Sequence, residues 1–189
     1  MHHIPSDVCA PLTPRQQEIV RLTGERAMNI FDARGYCCAE AVLCVLNQGF
    51  DGDLTPEMAV RLGSGFCHGM GGAGCACGSL AGAEVGLSLL LGPRQPGGMK
   101  KKEFEAVAKA MHDRFRERFS ATCCRILLKR RKEKKGASCK ELTGGGAEIA
   151  AALLMAIKPE LESRVDFDFL RARESKVAGL AKRLLGKAL

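Results

Sequence analysis

Between Gly65 and Gly82 the chain reads GFCHGMGGAGCACGSLAG, seven glycines and three cysteines in eighteen residues. Each glycine inside a helix costs roughly 1 kcal/mol relative to alanine, so this composition needs a structural return. Two patterns overlap in it. Gly74, Gly78, Gly82 and Gly86 recur every fourth residue, which predicts one face of a helix starting near Cys75. A face without side chains lets a second backbone come close, or leaves room for something bound. Gly65, Gly69, Gly71 and Gly72 precede it as a turn, where backbone N–H groups can converge on an anion. A nucleotide phosphate is a poor match. The stretch is neither a GxxxxGKS/T loop nor a GxGxxG placed after a strand, and it holds no lysine. Thiolate or sulfide is a better one. Cys75 and Cys77 fall where turn becomes helix, and a helix start draws a thiol towards thiolate. Cys77 is therefore expected to be the most reactive or most essential thiol.

The rest of the chain reads as helices. Thr13-Pro14-Arg15-Gln16 is an N-cap, a first-position proline and a capping-box glutamine. The helix behind it carries Ile19, Leu22, Ile30 and Phe31 and stops at Gly35. A second helix starts near Cys38, holds Val42, Leu43, Val45 and Leu46, and ends at Gly49, with Cys44 expected as packing. Thr55-Pro56-Glu57 starts a third, which runs to Leu62. After Leu91, GPRQPGG breaks the chain. Phe104, Val107, Met111, Phe115 and Phe119 recur at steps of three and four, a stripe that reads as core. A short helix over Cys124–Leu128 precedes the basic run. GGGAEIAAALLMAIKPE reads as a glycine turn, a buried alanine-rich helix and a proline stop. No segment alternates as a strand would. The expected fold is all-α: a compact multi-helix bundle with a glycine-rich loop and a C-terminal helical extension. Its parts are an N-terminal tail (1–12), a cysteine-rich helical domain (13–158) and a basic amphipathic extension (159–189) with Leu170, Val177, Leu180, Leu184 and Leu185.

Composition narrows the chemistry. At 46% apolar and 26% charged residues the chain belongs with globular proteins rather than disordered ones. MHHIPSDVCAPL has no apolar core of an export signal, and no apolar run approaches the ~18 residues of a membrane span. A cytoplasmic setting is expected, with no membrane partner. There, ten cysteines point to metal, cluster or redox work more than to a disulfide framework. Zinc is weakly supported, because no CxxC pair exists. Ser64 stands three residues before Cys67, so Cys67-His68 is no CxxCH haem attachment, and His68 reads as a loop residue. Of the net charge of +8, the run KRRKEKK at Lys129–Lys135 contributes +5, and Lys100–Lys102 form a second cluster. Such runs are chiefly solvated faces. A nucleic-acid-binding module built on 129–135 is the reading ranked last, since no motif or base-stacking aromatic set accompanies it.

GYCCAEAV, from Gly35, resembles the GYNCSQAV-like start of the C_GCAxxG_C_C family of redox-active proteins. The glycine stretch resembles that family's segment ending in CGxxxG, CCRILL its third cysteine element, and SCKELTGGGAEIAAALL its last. The same cysteine pattern occurs in split-Soret cytochromes, which are thought to carry an iron–sulfur centre beside haem. The resemblance implies that the signature cysteines are Cys38, Cys77, Cys124 and Cys139. Cys37, Cys67, Cys75 and Cys123 are then extra thiols, with Cys37, Cys75 and Cys123 as alternates in a ligand set. Ser79 stands where the family usually has alanine. The implied role is electron transfer or thiol redox chemistry, with no substrate named. Four thiolates are the usual complement of an iron–sulfur cluster, and that cofactor is the first expectation, with Gly74 and Gly78 beside it. The second is a metal-free dithiol/disulfide oxidoreductase or redox sensor pairing Cys77 with Cys38 or Cys124. Either implies a redox partner protein, an acidic one given the basic runs, and allows a homodimer.

Overall fold

Thr13 starts the first helix as the capping box predicts. In the computed structural model, which describes residues 11–95 and 101–175, the Gln16 N–H donates to Thr13 Oγ1 (3.2 Å) and the Thr13 N–H donates to Gln16 Oε1 (3.0 Å). Helix α1 (Pro14–Arg34) ends where Gly35 turns left-handed at φ 75°. Helix α2 (Cys38–Gly49) follows, with Cys37 as N-cap and its N–H donating to Glu40 Oε2 (2.9 Å). Ala39 and Ala41–Asn47 are all buried, so α2 is the central helix. Thr55 caps α3 (Pro56–Ser64). The single turn α4 (Cys67–Met70) leads through the glycine loop to α5 (Gly78–Leu91). Beyond it lie α6 (Lys101–Phe119), α7 (Cys124–Lys132) and α8 (Cys139–Ile157), then a 3₁₀ turn (Pro159–Arg164) and α9 (Phe167–Arg171). Among the described residues there is no strand, and β pairing is limited to one bridge between Ala76 and Cys123. No helix among them is long and apolar enough to cross a membrane.

The bundle is organised around α2, which packs against α1, α3, α5 and α8, while α8 also packs on α1, α5 and α6. The aromatic stripe of α6 is core, with Val107, Met111 and Phe115 fully buried. The glycine face is used where α5 crosses α2. A Cβ at Gly82 would lie 2.9 Å from Ala39 Cα, and one at Gly86 would lie 3.1 Å from Leu46 Cβ. At Gly82 the two backbones touch, and at Gly86 the Leu46 side chain fills the space, because neither glycine carries a side chain.

Three local expectations change. Helix α5 begins at Gly78 rather than near Cys75, so Gly74 is not on the glycine face; it is a loop residue at φ 75°, covered by Arg125. The triple glycine is not a turn but lies inside α8. Ser138 and Glu141 form a capping box that starts the helix earlier, and each glycine admits a neighbour: Met28 at Gly144, Phe119 at Gly145 and Ser79 at Gly146. The Ser79 hydroxyl is buried and donates to the Leu142 carbonyl (2.6 Å). Most of the basic run is helical, since α7 continues to Lys132, and its last-turn cations suit the negative end of the helix. In the C-terminal segment, residues 159–175 pack onto the bundle. Leu161 and Leu170 are buried in the core, the Asp166 N–H donates to the Gly49 carbonyl (3.0 Å), and the buried Arg26 stacks on Phe169 (4.7 Å) while donating to the Ala172 carbonyl (3.0 Å). Val177, Leu180, Leu184 and Leu185 lie outside the described residues, as do Cys9 and Lys100.

Two outcomes follow from α5. Gly82→Leu will overpack the α2 contact and lower unfolding free energy by about 1–3 kcal/mol or more, read as a shift in urea midpoint; an unchanged midpoint would mean that the close contact is absent. Burial pushes the Glu84 carboxyl up to about 7 from an ordinary 4.5. In that window the folded state holds a proton that the unfolded chain has released, so stability falls as pH rises. Urea midpoints measured from pH 4.5 to 7 should decline, and Glu84→Gln should flatten that part of the slope.

Candidate thiol redox site

All four signature cysteines stand at helix starts. Cys38, Cys124 and Cys139 are the first residues of α2, α7 and α8, and Cys77 is the N-cap of α5. The structure brings them to one cavity of about 80 Å³. Its other walls are Phe31, Leu127, Leu128 and Leu142, with Cys37 and His68 completing the lining. Four helix N-termini, each the positive end of its dipole, therefore converge on four sulfurs. The glycines make this approach possible. A Cβ on Gly78 would lie 2.5 Å from Cys38 Sγ, and one on Gly69 would lie 2.5 Å from Cys124 Cβ. The bridge at Ala76–Cys123 and the Cys124 N–H donating to the Cys75 carbonyl (2.7 Å) fasten the glycine loop to the start of α7.

The electrostatics pull in two directions. The Cys38 sulfur accepts from the backbone N–H groups of His68 and Ala39, and the Cys77 sulfur from those of Ser79 and Leu80. Those donors favour thiolate. Burial opposes them and wins. It raises the Cys38 thiol, with Cys139 adding to the rise, and it pushes Cys77 up to about 12, with Cys38 and Cys124 adding. Cys124 is also raised, first by burial and then by Cys38, Cys139 and Cys123. The expectation that a helix start would make Cys77 a ready thiolate is thus corrected. At 4% exposure the lost hydration outweighs the helix dipole. Cys139 is more open, and Arg131 Nη1 donates to its sulfur at 3.7 Å.

The alternates are distributed differently. Cys75 is exposed and does not line the cavity. Cys123 Sγ donates to the Gly74 carbonyl (3.0 Å). Gly74 thus faces Cys123 and Arg125 and does not line the cavity, so its expected place beside a cofactor is corrected, whereas Gly78 lies against the Cys38 sulfur. Cys37 is joined to Cys67 by a disulfide spanning 30 residues, Cα–Cα 5.8 Å. A sulfur in that bond is not a metal ligand. Nothing in the spacing singled out this pair; the signal present was only that both thiols lie outside the signature. Glu40 lies against it, its carboxylate accepting from the Cys37 N–H and from Ser64 Oγ (2.9 Å). Cys44 is buried packing in α2, as expected.

Fold and site together define an all-α, cysteine-rich protein whose cysteines gather at the starts of its helices. The profile of the family described as "Putative redox-active protein (C_GCAxxG_C_C)" matches residues 36–153, and the chain belongs to that family. No curated protein and no solved structure matches it.

In metal-free protein, iodoacetamide at mildly alkaline pH should modify the exposed Cys75 first and the buried Cys77 far more slowly. Peptide mass spectrometry reads the order, and Cys77 reacting as fast as Cys75 would overturn the burial argument.

Proposed function

We propose that the chain is an electron carrier holding an iron–sulfur cluster at Cys38, Cys77, Cys124 and Cys139. The observation that carries this reading is the arrival of four cysteines from four separate helix starts at one cavity. The donor set fits the group: four thiols are its usual complement, and N–H donors already reach the Cys38 and Cys77 sulfurs. Gly78 keeps the space beside Cys38 Sγ clear. Bound there, such a cluster supplies one-electron redox chemistry at a potential tuned by those N–H groups and by burial. The chain's own part is to bind, to exclude water with Phe31 and Leu142, and to give up the thiol protons on loading.

An acidic redox partner fits the approach to this site. Leu127 and Leu128 of α7 line the cavity, and the same helix carries Lys129, Arg130, Arg131 and Lys132. A reducing, cytoplasmic setting suits the free thiols. Metal-free dithiol chemistry is the second reading, favoured by the Cys37–Cys67 disulfide; the pairings of Cys77 with Cys38 or Cys124 are not formed, and all three are free thiols.

Protein purified without oxygen should be brown and contain iron and acid-labile sulfide. Serine at any one of the four positions should remove most of the iron, while Cys44→Ser should keep it. Colourless, iron-free protein with titratable thiols would reject the cluster and favour the second reading.

A further inference from the structure

We infer that the Cys37–Cys67 disulfide is a redox latch: a dithiol reductant opens it, the strap Phe66–Gly72 lifts, and the four-cysteine cavity becomes accessible. This rests on the cavity being the site that is loaded.

The bond joins two positions that each adjoin the cavity. Cys37 lines it and immediately precedes Cys38. Cys67 immediately precedes His68, which also lines it and whose N–H is donated to the Cys38 sulfur. The strap behind Cys67 is unusual in conformation. His68, Gly69, Met70, Gly71 and Gly72 all have φ between 56° and 94°. His68 and Met70 are not glycines, and such residues hold left-handed backbone only when their surroundings impose it.

The two ends of the loop are held unequally. The far end is fastened to α7 through backbone: the Cys124 N–H donates to the Cys75 carbonyl (2.7 Å), the Arg125 N–H to the Gly74 carbonyl (3.2 Å) and the Cys77 N–H to the Thr122 carbonyl (2.8 Å). Within the strap the backbone bonds are local, Met70 to Phe66 (3.3 Å) and Gly71 to Cys67 (2.9 Å). His68, Met70, Gly71 and Gly72 are exposed. What ties the strap down is Gly69 against Cys124, the Cys75 N–H donating to the Gly69 carbonyl (3.1 Å), the His68 N–H on the Cys38 sulfur and the disulfide to α2. Cutting the disulfide removes the covalent tie and leaves the left-handed turn held by these few non-covalent contacts alone.

The chemistry is ordinary exchange. Cys37 is half-buried whereas Cys67 is 8% exposed, so a reductant thiolate reaches the Cys37 sulfur first. A mixed disulfide forms at Cys37, and Cys67 leaves as thiolate and takes a proton. The reductant's second thiol then attacks its own sulfur in the mixed disulfide and releases Cys37. Two electrons and two protons pass from the dithiol to the cystine, and an oxidised disulfide of the same class reverses the step.

The test uses the full chain, metal-free, in three forms: air-purified protein with its disulfide mapped, the same protein reduced with dithiothreitol and desalted without oxygen, and a Cys37→Ser/Cys67→Ser variant. Alkylation of Cys38 and Cys124 is followed by mass spectrometry, and uptake of added Co²⁺ by its thiolate absorption. Opening a local latch should speed alkylation of both residues by about tenfold or more in the reduced and variant forms, with Co²⁺ uptake faster in reduced protein. Rates within a factor of about two in all three forms would overturn the latch, as would a purified protein in which Cys37 and Cys67 are both free under air. Should the variant fail to fold, the oxidised and reduced wild-type proteins carry the same comparison. Faster alkylation with no cobalt–thiolate band would support the latch while rejecting the four-cysteine metal site; equal alkylation with a strong band would do the reverse.

Discussion

Everything at the site depends on how closely α5 approaches α2. Two helices with ordinary side chains between them stand 8–10 Å apart, roughly. Here Gly82 lies on the Ala39 backbone and Gly78 lies under the Cys38 sulfur. That contact brings the start of α5 to the start of α2, and with it Cys77 to Cys38. The glycines of α8 do the same on another side, where Met28, Phe119 and Ser79 fill the space that side chains would have taken. The bundle gives up helix propensity at these positions, and close packing offsets the loss.

Convergence of helix starts creates an electrostatic tension that the bundle alone does not resolve. N–H groups and dipoles favour negative charge on Cys38 and Cys77, and burial forbids it. A bare thiolate pair there would be unpaired charge in a poorly hydrated cavity. A cation bound between the sulfurs removes the conflict, because it neutralises the charge while leaving the N–H bonds in place. Burial thus disfavours free thiolate at Cys38 and Cys77, a conflict that the proposed metal site would relieve. The Cys37–Cys67 pair stands apart from this, since a disulfide carries no charge.

Much of the fold was legible because its signals are local. Thr13 and Gln16, Thr55, and Gly35 marked helix ends by side-chain chemistry that needs no tertiary partner, and the Phe104–Phe119 stripe declared its buried face. The four signature cysteines, and the expectation that they share a site, were legible only through a family pattern, since convergence itself depends on how helices cross. Gly74 and the triple glycine were misread for one reason. A glycine reports freedom, and whether that freedom serves a turn or a close contact depends on a neighbour distant in sequence, Arg125 in one case and Met28, Phe119 and Ser79 in the other. The thiolate expectation for Cys77 failed because helix position can be read from sequence and depth of burial cannot. The disulfide was hidden among extra thiols that spacing does not pair.

The glycines within α8 also couple its first turns to the rest of the bundle. Gly144, Gly145 and Gly146 together cost roughly 3 kcal/mol of helix propensity relative to alanine, and an isolated helix of this length is marginal even without them. The first turns of α8, from Cys139 onward, are therefore not helical on their own. They become so when Met28 of α1, Phe119 of α6 and Ser79 of α5 close around the glycines. The place of Cys139 beside the other three cysteines is therefore coupled to the docking of α1, α5 and α6, and the four-thiol set is complete only in the closed bundle.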